Sequence, residues 1–254
     1  MRILLLTDSY PPEIRSASHL MQELAEELRD RLHAVTVATC YPQYNLADNA
    51  LNKKYDEDSV EAGIRVIRIH TLPHHKVNFI VRGLSQVSLP YIFWSKLKKH
   101  LKDGIDAVLV YSPPLSLWKV GHYVKKTFGA KYVLNIQDIF PQNAIDLGVL
   151  RNPLLIWFFE RMEKKAYGSA DIVTVHSPGN GAFLFEKGKI DPSKLVVLPN
   201  WVDVGVHEER RNDSFHRRRV AIQSLFVGKK GVVLGDVDSN FITPQPKPDG
   251  VTLA

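Results

Sequence analysis

The stretch Asn135-Ile136-Gln137-Asp138-Ile139-Phe140-Pro141-Gln142-Asn143 gathers amides, a carboxylate and an aromatic ring at the end of an apolar run. Sugars are held by such mixtures, through polar groups that bond in pairs and a ring that covers an apolar face. Asp138 there could serve as a general base or an orienting carboxylate. The same aspartate equally suits the capping of a turn. A second stretch is Tyr10-Pro11-Pro12-Glu13-Ile14-Arg15-Ser16-Ala17-Ser18, which leads into a helical pattern. Free amides at that helix start, backed by the helix dipole, suit a phosphate or a sugar hydroxyl. The alternative is a proline-stiffened turn capped by Ser16 or Ser18. A third, Tyr111-Ser112-Pro113-Pro114, either shapes a cleft wall or starts a helix.

Other chemistries lack their residues. His176-Ser177-Pro178-Gly179-Asn180-Gly181 has two glycines of a dinucleotide fingerprint, but Leu184 stands where the third belongs, and the stretch does not follow the first strand. Gly228-Lys229-Lys230-Gly231 lacks the spacing of a phosphate-binding loop. The histidine pair His74-His75 is not joined by a His-Glu-x-x-His or Cys-x-x-Cys pattern, so neither a metal site nor a cofactor is expected. No Gly-x-Ser-x-Gly elbow for a serine hydrolase is present.

The elements that must position these stretches follow from the hydrophobic pattern. Ile3-Leu4-Leu5-Leu6 is an unbroken apolar run, as in a strand covered on both faces. Leu20, Leu24, Leu28 and Leu32 then recur every four residues, with Met21 and Ala25 alongside and a charged opposite face. That is an amphipathic helix. Residues 35–39 form the next strand, completing a strand-helix-strand unit. A polar loop is expected over 41–63. Further strands are expected at 64–69, 107–111, 132–136, 172–175 and 195–198, and helices at 79–102, 115–128, 154–167 and 183–187. The whole reads as an α/β fold, a doubly wound, mostly parallel Rossmann-like sheet of about seven strands. Binding sites in such sheets lie at the carboxyl ends of the strands, where the polar stretches above fall.

Residues 1–203 form one domain in this reading. Residues 204–254 form an irregular tail, with Arg210-Arg211, His216-Arg217-Arg218-Arg219 and three prolines between 244 and 250. The net charge of +6 is small and spread over both parts, so charge alone selects no partner. The basic tail lacks interleaved aromatics and any known nucleic-acid module, so no nucleic-acid partner is expected. One cysteine, Cys40, forms no internal disulfide and fits a reducing compartment. The opening apolar run is too short for a signal peptide, and no run approaches the ~20 residues of a membrane span. The expected location is cytoplasmic, peripheral at the inner membrane face. Residues 78–99 mix Phe79, Ile80, Tyr91, Phe93 and Trp94 with Arg82, Lys96, Lys98 and Lys99, which suits either an anionic membrane surface or a helix packed on the sheet.

The runs Tyr10-Pro11-Pro12-Glu13-Ile14, Gln137-Asp138-Ile139-Phe140-Pro141, Ala170-Asp171 to Ser177-Pro178-Gly179, and Leu198-Pro199-Asn200-Trp201-Val202-Asp203 occur in that order. Together they resemble the N-terminal domain of family 4 glycosyltransferases, nearest to the WbuB-like enzymes of capsule, O-antigen and exopolysaccharide assembly. The resemblance covers roughly residues 1–203. It implies one half of a two-domain GT-B fold that holds a lipid-linked sugar acceptor. It also implies sugar transfer with retention and without a metal. A separate donor domain would hold the nucleotide-sugar. Residues Ser16, Ala17 and Ser18 would face the donor phosphates or the acceptor. Asp138 would be the catalytic or orienting group of the acceptor site, flanked by Gln137, Gln142 and Asn143. Asn200 would lie near the interdomain hinge.

Three features depart from that pattern. Arg15-Ser16-Ala17-Ser18 stands where many relatives have glycine, and a Cβ restricts close approach of a phosphate. Gln137 stands where many have histidine. No Glu-x7-Glu pair of a donor domain is present. A truncated product or one subunit of a split enzyme is therefore expected. The alternative is a non-catalytic acceptor-binding or scaffold protein of polysaccharide assembly.

Overall fold

The computed structural model describes residues 1–46, 50, 53–72 and 79–201, the side chains of 79–82 and 84 excepted. The expected tail at 204–254, with its arginine cluster, lies outside the described residues, as do His74 and His75. The strands are β1 (Arg2–Leu6), β2 (Ala34–Cys40), β3 (Asp58–Glu61), β4 (Ile64–Ile69), β5 (Ala107–Ser112), β6 (Lys131–Ile136), β7 (Ile172–Val175) and β8 (Leu195–Val197). They form one sheet in the order β3-β4-β2-β1-β5-β6-β7-β8, parallel except for β3 against β4. The helices are α1 (Ser16–Asp30), α2 (Phe79–Leu97), α3 (Trp118–Phe128), α4 (Gln142–Asp146), α5 (Pro153–Ser169) and α6 (Pro178–Glu186).

The eight described strands exceed the expected number by β3, which falls inside the stretch read as a polar loop. Its sequence, Asp-Ser-Val-Glu, has little apolar character, because it is an edge strand whose ladder is supplied entirely by β4. Ala62 and Gly63, both at positive φ, make the two-residue turn between them. A positive φ at alanine is strained, so the residue gives little signal of that turn in the sequence. The short helix α4 also went unread, and α6 begins at Pro178 rather than at 183.

The two faces of the sheet are covered differently. On one side α1 packs Leu20, Met21, Leu24 and Leu28 against Ile3, Leu5 and their neighbours. Each such apolar side chain contributes roughly 1.5–3 kcal/mol by leaving water. On the other side α2, α3, α5 and α6 cover Leu4, Leu6, Val108 and Val110. Leu89, Phe93 and Leu97 of α2 lie in that core, so this apolar face of the helix is used up by packing on the sheet. Among the described residues no helix is long and apolar enough to cross a membrane.

Close approach fixes α3. A Cβ on Gly121 would lie 2.6 Å from the Tyr132 ring and from Val110 Cγ2. Asp171 closes the amino end of β6 by accepting from the Tyr132 amide at 2.8 Å and from Lys125 Nζ at 2.7 Å. Burial opposes ionisation of Asp171, but these donors hold its carboxyl below the ordinary range. Gly121→Ala should destabilise the fold by about 1–3 kcal/mol through overpacking, despite alanine's better helix propensity. Urea unfolding monitored by circular dichroism reads this directly, and an unchanged or raised midpoint would contradict the packing argument.

Candidate functional site

The strand order reverses at β1. The chain leaves β1 toward β2 and β4 on one side, and returns to β5 on the other. Loops leaving the carboxyl ends of β1 and β5 therefore turn to opposite faces and open a crevice between them. The Pro11–Pro12, Ser112–Pro113, Pro113–Pro114 and Phe140–Pro141 peptides, all in loops at this end of the sheet, are cis.

The wall after β1 is a buried polar cluster. Glu13 is 6% exposed and accepts from Ser9 Oγ at 2.8 Å and from the Gln43 and Tyr44 amides at 3.0 and 3.1 Å. It thereby ties the loop after β1 to the loop after β2. Arg15 donates to Asp8 at 3.1 Å and lies 3.8 Å from Glu13. Arg68, buried on β4, donates to the Pro11 carbonyl at 3.0 Å and to Glu61 Oε2 at 3.0 Å. The same guanidinium holds the Glu61 carboxyl below its usual range. A buried cation is tolerated only with such partners, so the hairpin at the sheet edge and the proline loop fix each other.

The wall after β6 is more open. Asn135 is buried and donates to Thr174 Oγ1, while Gln137 Nε2 donates to Asn135 Oδ1, both at 2.8 Å. The Gln137 amide group is thus anchored in a buried ladder, and only 9% of the residue is exposed. Asp138, the next residue, is exposed. Its own carbonyl closes the turn by accepting from the Phe140 amide at 3.0 Å. Tyr111, at the end of β5, senses both walls. Burial pushes its phenol up to about 12, the carboxylates of Asp8 and Asp138 push it the same way, and Arg15 opposes them. Asp138, Tyr111, Asp8 and Arg15 thus share one electrostatic neighbourhood.

The remaining expected site residues divide. Ser16 and Ser18 do not cap α1: Arg15 is the N-cap, and no side chain accepts there. The first helical hydrogen bond runs from His19 to the Arg15 carbonyl, so helix geometry leaves the amides of Ser16, Ala17 and Ser18 directed out of the helix start. Ser16 is exposed, whereas the side chains of Ala17 and Ser18 are buried against the core. Any contact from Ala17 or Ser18 would therefore come from backbone rather than side chain. Gln142 donates along α4 to Asp146 at 2.8 Å, and Asn143 is exposed beside it. Asn200 is exposed at the end of the described chain. Next to it Trp201 is buried and donates from Nε1 to the Leu20 carbonyl at 3.0 Å, stapling the exit from β8 to α1. Sequence reasoning missed Asp8, Glu13 and Arg68 as site-shaping groups; the charges within the first loop and the arginine inside an apolar strand were the available signals.

This fold and crevice define a Rossmann-like domain of the GT-B glycosyltransferase type. The glycosyl transferase 4-like domain model matches residues 17–201, and the chain belongs to that family. A probable glycosyltransferase, WbjE of Pseudomonas aeruginosa, is 31% identical over 128 residues, which is 50% of this chain and 32% of that protein. Among solved structures, sucrose-phosphate synthase from Thermosynechococcus elongatus superimposes with a TM-score of 0.59 at 16% identity, covering 81% of this chain and 49% of that one. The catalytic domain of starch synthase IV from Arabidopsis thaliana gives a TM-score of 0.51 at 16% identity, covering 80% and 52%. HepE of Anabaena in complex with UDP and glucose gives 0.50 at 17% identity, covering 87% and 50%. The chain thus spans about half the length of these structures and about a third of the curated relative.

The Tyr111 phenol predicts an alkaline transition. Its proton is held more tightly in the folded state, so the associated stability is complete below pH 10 and is lost as pH rises through about 12. Over that window one such group changes stability by up to about 1.4 kcal/mol per pH unit. Tyr111→Phe should flatten the fall in unfolding free energy between pH 10 and 11.5, measured by urea titration. An unchanged slope would mean that the phenol ionises freely.

Proposed function

We propose that the crevice is the acceptor side of a glycosyl-transfer site, in which a sugar passes with retention from a nucleotide-sugar to a lipid-linked acceptor during cell-surface polysaccharide synthesis. The observation that carries this is the exposed Asp138 carboxylate, set on a rigid amide ladder and sharing its surroundings with Tyr111 and the Arg15–Asp8 pair. Family membership gives the reaction class. In this reading Asp138 orients the attacking acceptor hydroxyl and accepts its proton, as the new glycosidic bond forms and the nucleoside diphosphate leaves with the electron pair of the old one. Gln137, Gln142 and Asn143 bond the acceptor sugar, with Phe140 beside them. The outward amides of Ser16, Ala17 and Ser18 favour a diphosphate group at the start of α1. HepE carries UDP and glucose, which supports a nucleotide-sugar as donor. The donor is held by a separate domain, and Asn200 stands near the passage to it.

Calorimetric titration of the purified chain tests this division. A polyprenyl-diphosphate-sugar should bind, and Asp138→Ala should weaken binding at least tenfold, the order expected for a hydrogen bond to a charged group. UDP- and GDP-sugars alone should not bind tightly. Tight nucleotide-sugar binding by this chain would overturn the assignment of the crevice to the acceptor. Acceptor binding without turnover after a donor domain is supplied would instead establish a scaffold role.

A further inference from the structure

The first turns of α5 expose Leu154, Trp157 and Phe158, and the turn just before the helix exposes Leu147 and Val149. Trp157 is 61% exposed and Leu147 77%, although both are large apolar side chains. The rotation of α5 is fixed by its other face. Glu163, Ala166 and Tyr167 are buried, and Glu163 pairs with Lys189 at 2.8 Å and accepts from the Tyr167 hydroxyl at 3.1 Å. The outward stripe therefore runs Leu154, Trp157, Phe158, Arg161, Lys165, at the spacing of one helix face.

The stripe has a direction. β6 and β7 are parallel, so α5 must carry the chain back from the carboxyl end of the sheet to the amino end. Its apolar first turns thus lie at the crevice end, with Arg161, Lys164 and Lys165 farther away. Phe140, in the loop that carries Asp138, meets Phe159 of α5 edge-to-face at 4.9 Å. Apolar patch and crevice are thereby continuous. Around the patch, exposed Arg151, Arg161, Lys164 and Lys165 outnumber the exposed carboxylates Asp138, Asp146 and Glu160. Arg161 lies over the Trp157 ring at 5.7 Å.

We infer that this face of α5, with the turn before it, docks on an anionic lipid surface and turns the mouth of the crevice toward the bilayer. Aromatic and aliphatic side chains enter the headgroup region while the flanking cations meet acidic headgroups. A protein partner would satisfy the apolar residues but gives no reason for the cationic surround. It differs from the stretch 78–99 weighed from sequence, of which Leu89, Phe93 and Leu97 lie in the core. It rests on the acceptor reading for its purpose but not for its test, since plain phospholipid vesicles contain no acceptor.

The experiment is co-sedimentation of the full chain with phosphatidylcholine vesicles, with and without 30% phosphatidylglycerol as an order-of-magnitude choice of surface charge. Binding should appear only with the acidic lipid and fall steeply with salt. Trp157→Glu with Phe158→Glu should reduce it at least tenfold. Arg161→Glu with Lys165→Glu should reduce it by about fivefold or more per site, since each basic residue contributes ~1 kcal/mol at such a surface. All four positions are exposed, so thermal midpoints should hold, and Trp157→Ala with Phe158→Ala serves if the glutamates perturb folding. No vesicle binding, or binding indifferent to these substitutions, overturns the inference. Concentration-dependent dimerisation abolished by Trp157→Glu would assign the face to a second copy. Asp138→Ala should leave vesicle binding intact, so loss of acceptor binding alone would sink the acceptor reading and leave the docking face standing.

Discussion

A strand buried on both faces and paired on both edges leaves no freedom for its chain, and β1 is such a strand. Ile3 to Leu6 are fully buried between β2 and β5. Because the topology reverses at β1, the loop that leaves it cannot cover the end of β5. The gap between them is a consequence of connectivity rather than of any one side chain. Glu13, Arg15, Asp8 and Tyr111 then acquire their surroundings from that gap. The site is therefore placed by the sheet and only afterwards shaped by polar contacts.

The polar contacts differ between the two walls. After β1 the carboxylates are buried and bonded to one another's partners, so their removal would leave groups without solvent or donors. This wall is rigid and depends on Arg68, which reaches the Pro11 carbonyl from β4. After β6 the buried ladder ends at Gln137, and Asp138 emerges into solvent. One wall resembles a mould, and the other presents an exposed carboxylate. That asymmetry suits a site in which the substrate is positioned from one side and acted on from the other.

The same end of the sheet carries the emergent aromatic face of α5. Its exposure follows from competition within one helix: Glu163 is held by Lys189 while Ala166 and Tyr167 fill the core, so Trp157 and Phe158 must point away. Lys189 compensates much of the cost of burying Glu163, although burial still leaves that carboxyl raised above its ordinary range. A packing requirement on one face of the helix thus generates the binding chemistry of the other.

Periodicity in the sequence determined the α/β class, the alternation of strands and helices, and the position of Asp138 after a buried strand, because unbroken apolar runs and four-residue leucine spacing report burial directly. The glycosyltransferase family motifs were also legible, being local runs of residues. The edge strand β3 was not, since its partner supplies the hydrogen bonds and its residues need no apolar character. Nor was the orientation of Ser18, buried against the core although a capping role was open to it. The pairing of Arg15 with Asp8, the bond from Arg68 to Pro11 and the closure of Trp201 on Leu20 join residues far apart in the chain or separated by a turn. Such contacts depend on strand order and helix rotation, which no local pattern encodes, and only the tertiary structure decided them.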